Sequence, residues 1–207
     1  MANRLWFVLV LLVLACCSEN ALADKRVALL IGNANYVAVP ALKNPPNDVA
    51  LMKAAFEGAG FDKVVTAADV GRAGMVEALR AFEDETGDAD IAVVYFSGHG
   101  LEMNGENYLV PVDAKLTSDR DVADEAVTLD RLMQATEGAH QLRLVILDAC
   151  RNNPFLSKMA HSKTRAISRG LARPPELPAA ERMRPQFGSA PANAVFTSGE
   201  FATVRAI

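Results

Sequence analysis

The sequence alternates short apolar runs with segments of helical periodicity, and this alternation is the feature that most limits the possible folds. The strongest runs, at residues 25–31, 91–96 and 142–147, are dominated by aliphatic side chains and have the length of strands. Runs that are apolar on both faces are typical of strands covered by helices on both sides. Apolar residues recur at helical spacing in residues 47–58 and 71–85. This alternation predicts an α/β fold with a mostly parallel sheet flanked by helices on both faces.

We place the main domain at residues 24–172. Weaker strand patterns lie at residues 63–66 and 108–112, and Thr128 is placed to cap a further helix. A hydrophobic content of 51% with 22% charged residues is enough for a packed core. Residues 173–207 hold five of the ten prolines and show little apolar periodicity, so we predict a loop or a divergent or truncated tail there.

Residues 1–23 have the organisation of an export signal. Arg4 precedes an apolar run over residues 5–17, and the segment ends in Ala-Leu-Ala, a small-x-small cleavage pattern. We therefore predict a signal peptide and an exported protein that is periplasmic or secreted. Two alternatives stay open. One is a membrane anchor, for which the run is short, and the other is a lipoprotein that is tethered to the envelope through Cys16.

Cysteine count and charge narrow the class of protein further. The chain has three cysteines, and removal of the predicted signal leaves Cys150 alone. A single thiol in an exported protein forms no internal disulfide, so it is either buried and inert or reactive. The formal net charge of -4 gives no basic surplus, so no nucleic-acid partner is expected.

Two of the strongest predicted strands run into motifs that can carry chemistry. The run at residues 91–96 is followed by Ser-Gly-His99-Gly, and the run at residues 142–147 by Asp-Ala-Cys150. Ligands of open parallel sheets bind beyond the carboxyl ends of the strands. If these strands are neighbours, His99 and Cys150 emerge at one edge, where an imidazole can accept the thiol proton and later protonate a leaving amine.

The backbone around this pair can also take part in catalysis. The N–H groups of Gly100 and Cys150 are placed to donate to a developing oxyanion. The alternative interpretation is structural, because a free cysteine is most often a small buried hydrophobe and a histidine beside glycine is often a loop residue.

These motifs resemble those of the caspase-like cysteine peptidases, the group that includes metacaspases, paracaspases and their bacterial relatives. The matching segments within residues 25–156 are 27–33 with Tyr36, Leu42 with 47–49, 95–100, 108–113 and 147–152. His99 and Cys150 fit the separation of about 50 residues stated for caspases. The resemblance implies a three-layer caspase-like sandwich and an endopeptidase with Cys150 as nucleophile and His99 as general acid and base.

The resemblance also implies which residues recognise the substrate. In metacaspases, the positions that match Asp48, Ser97 and Asp148 line the pocket for the residue before the scissile bond. Two carboxylates suit a cation, and Arg can bind them bidentately. We therefore predict polypeptide substrates cleaved after Arg or Lys. The alternatives are a helix-dipole contact for Asp48 and a hydrogen-bonding loop role for Asp148.

Calcium and catalytic competence are the remaining questions. Many metacaspases depend on calcium, and acids cluster between residues 113 and 130, but without EF-hand spacing. We predict no required cofactor, with calcium as the alternative and Asp113 as its best-matched ligand. The main functional alternative is a weak or inactive caspase-like module that binds peptides or partner proteins, because no family motif is evident beyond residue 173. The sequence does not determine the oligomeric state.

Overall fold

The structure, a computed structural model, describes residues 24–150, 154–155, 158–160, 167–168 and 192–197. Cys150 and the last two of these ranges are described by their backbone alone. The predicted signal segment, with Cys16, lies outside the described residues. Within the described part of the chain, no helix is both long and apolar enough to cross a membrane.

Strands and helices alternate along most of the described chain. In order they are β1 (Arg26–Gly32), α1 (Pro45–Gly58), β2 (Lys63–Ala68), α2 (Arg72–Thr86), β3 (Ile91–Met103), β4 (Glu106–Leu109), α3 (Asp121–Glu125), β5 (Val127–Thr128), α4 (Leu129–Gln134), β6 (Leu142–Cys150), β7 (Ile167–Ser168) and β8 (Ala192–Thr197). The three strong strand predictions correspond to β1, β3 and β6, and the two helix predictions to α1 and α2. Thr128 caps α4 as predicted, because its hydroxyl accepts the Arg131 N–H at 3.2 Å.

The central strands of the sheet are parallel. β2, β1, β3, β6 and β8 lie side by side in that order and pair in parallel. β4, β5 and β7 add antiparallel pairs around the second half of β3. The predicted α/β fold with a mostly parallel sheet is therefore confirmed.

Helices cover both faces of this sheet. On one face α1 packs Met52 and Phe56 against a cluster that includes Leu30 and Tyr95. On the other face α2 and α4 pack against the alternate residues of the same strands, such as Phe96. Burial of each such side chain stabilises the fold by roughly 1.5–3 kcal/mol. This two-sided burial explains why β1 and β3 read as continuous apolar runs.

β3 changes neighbours part of the way along its 13 residues. Its first half lies between β1 and β6 in parallel. Farther along, β4 replaces β1 through a tight turn at Asn104 and Gly105, both with positive φ. On the other side, β7 replaces β6. The last residue of β1 thus pairs with Ser97 and that of β6 with His99, and the candidate site lies at this change of neighbours.

Residues 192–197 depart from the predicted tail. They form β8, which extends the parallel sheet beside β6 from Leu142↔Ala192 to Leu147↔Thr197. The proline-rich composition of the preceding residues hides this short run of apolar and small residues, because a compositional average over the whole tail is dominated by the prolines. A six-residue strand gains its stability from the neighbouring strand rather than from its own propensity.

Candidate active site

His99 and Cys150 are register partners in the parallel ladder between β3 and β6. Partners in neighbouring strands lie on the same face of a sheet, and the strands are about 4.8 Å apart. The backbone therefore brings these two residues together at the carboxyl edge of the sheet. Two residues farther back on the same face, Ser97 is the partner of Asp148.

The imidazole of His99 is held in an apolar environment. The residue is 5% exposed, and its ring lies 4.6 Å from the Tyr36 ring and 6.0 Å from the Phe155 ring, centroid to centroid. Burial lowers the pKa of His99 to about 4, so the imidazole is neutral at pH 7. Its buried Nε2 has no hydrogen-bond partner among the described residues. A neutral imidazole with such an atom is suited to accept or donate a proton at this edge.

Tyr36 fixes the backbone at His99. Its hydroxyl oxygen accepts the His99 N–H at 2.8 Å. Gly98 makes this approach possible, because a Cβ there would lie 2.6 Å from the Tyr36 hydroxyl. The loop that carries Tyr36 is in turn held by Asp69, whose Oδ1 accepts the N–H groups of Ala34 at 2.7 Å and Asn35 at 2.8 Å.

Asn33 ties three segments together behind this loop. The side chain is fully buried. Its Nδ2 donates to the carbonyl oxygens of Val70 and Val110, both at 3.3 Å, and its Oδ1 accepts the Val70 N–H at 3.0 Å. Because both ends of the amide are satisfied, Asn33 stabilises the packing of the loops around the site. Sequence reasoning included Asn33 and Tyr36 only as motif residues and missed these contacts, as it missed Asp69.

Three residues predicted to recognise the substrate also lie together. Asp48 stands in the first turn of α1, and its Oδ2 accepts the Ser97 hydroxyl at 3.0 Å. Ser97 is 2% exposed, and its register partner is Asp148. Burial and then the negative charge of Asp48 raise the pKa of Asp148. The structure thus brings all three side chains to the face of the sheet that carries His99.

Tyr95 is a fourth member of this cluster, and sequence reasoning included it only as a motif residue. It is 3% exposed, and its hydroxyl donates to Asp148 Oδ2 at 3.4 Å. Burial, followed by the charges of Asp148 and Asp48, raises the pKa of Tyr95, so the phenol stays protonated. The sequence spacing could have indicated this position for Tyr95. Tyr95, Ser97 and His99 are two residues apart along one strand and therefore share a face of the sheet. Among the described residues, no ion pair involves Asp48 or Asp148.

The N–H of Gly100 faces the side of β3 on which β6 ends. Both backbone groups of His99 point the other way, since its N–H bonds Tyr36 and its carbonyl accepts the Val110 N–H at 2.9 Å. N–H directions alternate along a strand, so the Gly100 N–H points toward Cys150, the last residue of β6.

Two of the acids considered for calcium accept hydrogen bonds from backbone N–H groups. Asp113 accepts the Arg72 N–H at 2.9 Å at the start of α2. Glu125 accepts the N–H groups of Lys115 and Leu116 at 2.6 and 2.9 Å. Over the described ranges, no three His, Cys, Asp or Glu side chains converge as metal ligands. The prediction of no required cofactor, with calcium as the alternative, stays a prediction.

The sequence of this chain is similar to a known protein family and to two known relatives. A family model described as "Caspase domain" matches residues 25–199. Human mucosa-associated lymphoid tissue lymphoma translocation protein 1 is 34% identical over 134 residues, and its homolog from Mus musculus is 34% identical over 130 residues. These matches cover 65% and 63% of this chain and 16% and 15% of the two relatives. The matched segment is thus a small part of each relative's length.

Proposed function

The chain belongs to the caspase-domain family, and from that premise we propose that it is a cysteine endopeptidase that cleaves polypeptides after Arg or Lys. The observation that carries the proposal is the pairing of His99 with Cys150 at the carboxyl ends of β3 and β6. In this proposal Cys150 is the nucleophile and His99 the general acid and base. The family match supports a cysteine peptidase in general. We propose the Cys–His dyad and the preference for Arg or Lys from the positions of the site residues.

The proposed reaction begins with proton transfer. Neutral His99 takes the thiol proton of Cys150, and the thiolate attacks the carbonyl carbon of the scissile bond. The N–H groups of Gly100 and Cys150 donate to the oxyanion of the tetrahedral intermediate. As the C–N bond breaks, the imidazolium of His99 protonates the leaving amine. Water, deprotonated by His99, then hydrolyses the thioester and restores the thiol.

The burial of His99 favours the second of these proton transfers more than the first. It lowers the pKa of His99 to about 4, so the imidazole is neutral at neutral pH and can accept a proton, but it is a weak base. The same burial makes the imidazolium a strong acid once it has formed, so the proton passes readily to the leaving amine. Both effects come from one cause, the apolar packing of Tyr36 and Phe155 around the ring.

The proposed specificity comes from the acids beside the dyad. Asp48 and Asp148 interact electrostatically, and no described cation is paired with either. Two adjacent carboxylates repel each other, and a guanidinium or ammonium group between them relieves that repulsion. An acidic substrate residue would increase it. We therefore expect Arg and Lys, and not Asp, before the cleaved bond.

A peptide assay tests this proposal. The full chain without its predicted signal is given fluorogenic peptides that end in Arg, Lys or Asp, with calcium and with a chelator. We expect release after Arg and Lys, at least 10³-fold reduced in Cys150→Ala because the nucleophile is lost. Release only after Asp would contradict the assigned specificity while sparing the dyad.

The same assay separates the enzyme from a binding module. A caspase-like module without activity would turn over no peptide, and its Cys150 would not react with a peptidyl electrophile. It would still bind an Arg-containing peptide with a measurable Kd. That combination would replace the enzyme proposal with the peptide-binding alternative.

A further inference from the structure

We propose that Tyr95 is a positioning residue of the substrate site: its buried hydroxyl holds the Asp148 carboxylate beside Asp48, so that the two acids together receive one cationic side chain. This inference rests on the proposed function, because it takes the acidic cluster to be the place where the Arg or Lys side chain binds. It adds a residue that the family motifs do not assign to this task.

Two hydroxyl groups from one strand anchor two acids from different elements. Ser97 donates to Asp48 Oδ2 at 3.0 Å, and Tyr95 donates to Asp148 Oδ2 at 3.4 Å. The Oδ1 atom of each acid accepts no hydrogen bond from a described residue. Each carboxylate is therefore held through one oxygen and presents the other, which is the arrangement that a planar guanidinium group can bridge.

The charges around Asp148 show what the Tyr95 hydroxyl contributes. The groups that face Asp148 are Asp48 from α1 and Tyr95 from β3, and no described Lys, Arg or His side chain offsets the two negative charges. Burial and the charge of Asp48 raise the pKa of Asp148, whereas the hydrogen bond from Tyr95 lowers it. The hydroxyl thus favours the charged form of Asp148, which is the form that attracts a cation.

Burial keeps the Tyr95 hydroxyl protonated and therefore able to donate a hydrogen bond. The side chain is 3% exposed and packs in the core cluster beneath α1 with Leu30 and Ile146. Its pKa is raised, so the phenol keeps its proton over the working pH range. Phenylalanine would keep the ring and its packing and remove only the hydroxyl, with its contacts to Asp148 and Ser97. Tyr95→Phe is therefore a narrow test of the hydroxyl.

Labelling of Cys150 measures substrate binding separately from thiol reactivity. The protein is treated with a peptidyl-Arg chloromethyl ketone or with iodoacetamide, and the intact mass is followed over time between pH 5 and 8. In Tyr95→Phe we expect the half-saturating ketone concentration to rise about three- to tenfold, in keeping with the loss of one hydrogen bond of ordinary net strength. The limiting labelling rate and the iodoacetamide rate stay at wild-type values. The pH below which ketone labelling weakens moves upward, because Asp148 is protonated more readily.

Matched variants separate positioning from a general structural effect. Tyr108→Phe removes a buried hydroxyl that donates to Glu106, away from the acidic cluster, and leaves both labelling rates unchanged. In an Asp148→Asn background, Tyr95→Phe causes no further loss of ketone binding, since its partner charge is already gone. Thermal melting of each variant confirms that the fold is intact.

The outcomes distinguish failure of this inference from failure of the proposed function. If the wild-type protein reacts no faster with the Arg ketone than with a norleucine analogue, the acidic site itself is wrong and the role of Tyr95 falls with it. If the wild type prefers the Arg ketone and Tyr95→Phe matches it in affinity and pH midpoint, only the role of Tyr95 is overturned. An equal loss with iodoacetamide also overturns it, because that loss would reflect general distortion.

Discussion

At the scale of single residues, burial sets the chemistry of the candidate site. His99 and Tyr95 both lie almost entirely out of water, and each is held in its neutral form by that burial. Asp148 is half-buried beside a second carboxylate and carries a raised pKa. The site thus contains the neutral imidazole of His99, the protonated phenol of Tyr95 and two carboxyl groups that repel each other. The protonation of His99 and of Asp148 each predicts a change in activity or stability with pH.

The lowered pKa of His99 predicts an unusually acid-tolerant reaction. A base whose folded pKa is about 4 becomes protonated only near that pH, whereas an ordinary histidine is half protonated near pH 6.5. We expect kcat at saturating peptide to keep more than half of its pH 7 value down to about pH 5 and to fall below that. Initial rates across pH 4 to 8 provide the measurement. A half-loss near pH 6.5 would contradict the buried, neutral imidazole.

Asp148→Asn separates stability from substrate recognition. The folded pKa of Asp148 is raised, so its charge costs stability above that pKa, and the cost disappears as pH falls through it. We expect the variant to melt about 2 °C higher at pH 8, with a smaller gain at pH 5, and to show at least a tenfold higher KM for Arg peptides. Calorimetry at the two pH values, beside peptide kinetics, makes the measurement. A lower melting temperature at pH 8 would count against the repulsion between the two acids.

The residue types of the site were predictable from the sequence, but several of their contacts were not. Both the strand pattern and the family resemblance indicated His99 and Cys150. The resemblance alone indicated Asp48, Ser97 and Asp148. The tethers to them join residues tens of positions apart, such as the Tyr36 hydroxyl and the His99 N–H. No local period encodes such a pair, so these contacts appear only when the strands have been assembled.

At the scale of elements, the length of β3 organises the site. The strand runs past the ends of β1 and β6 and takes new antiparallel partners beyond them. The sequence indicated its first half as an apolar run, and it left a loop position for His99 as an alternative because Gly98 and Gly100 flank that residue. In the structure both glycines lie within β3, and Gly98 allows the Tyr36 side chain to approach the strand closely. Sheet pairing overrides the turn preference of glycine here.

Gly98→Ala tests that close approach. The added methyl group would lie 2.6 Å from the Tyr36 hydroxyl and 2.8 Å from the Phe96 ring. Forcing such a contact in a packed region typically costs about 1–3 kcal/mol, and a displaced His99 can reduce turnover by about 10²-fold. Adding Tyr36→Phe should not restore the stability, because it removes one colliding atom but leaves the buried His99 N–H without its acceptor. Urea unfolding and peptide turnover are the measurements. A single variant with wild-type values in both would contradict the packing described here.

At the scale of the whole molecule, the sheet joins distant parts of the chain. β6 lies between β3 and β8, so the strand that ends at Cys150 is bordered on its outer side by residues near the end of the sequence. Composition predicted a tail there, whereas pairing with β6 gives a strand. A strand as short as β8 can be recognised only in the assembled sheet, where it pairs with the outer edge of β6.

Removal of β8 should therefore affect the entire domain. A chain that stops after residue 190 exposes the outer edge of β6, and we expect its melting temperature to fall by at least 5 °C, with increased aggregation. A chain that stops after residue 199 keeps β8 and serves as the control. Calorimetry and light scattering provide the readouts. Equal melting temperatures for the two truncated chains would show that β8 adds nothing to the stability of the sheet.

In the proposed reaction His99 activates the thiol of Cys150, and the rate of covalent labelling measures that activation. Wild-type protein and His99→Asn are treated at pH 7 with the same peptidyl-Arg chloromethyl ketone, and the mass added at Cys150 is followed over time. We expect His99→Asn to react at least 100-fold more slowly while melting within a few degrees of wild type. Equal labelling rates in the two proteins would show that His99 does not activate the thiol.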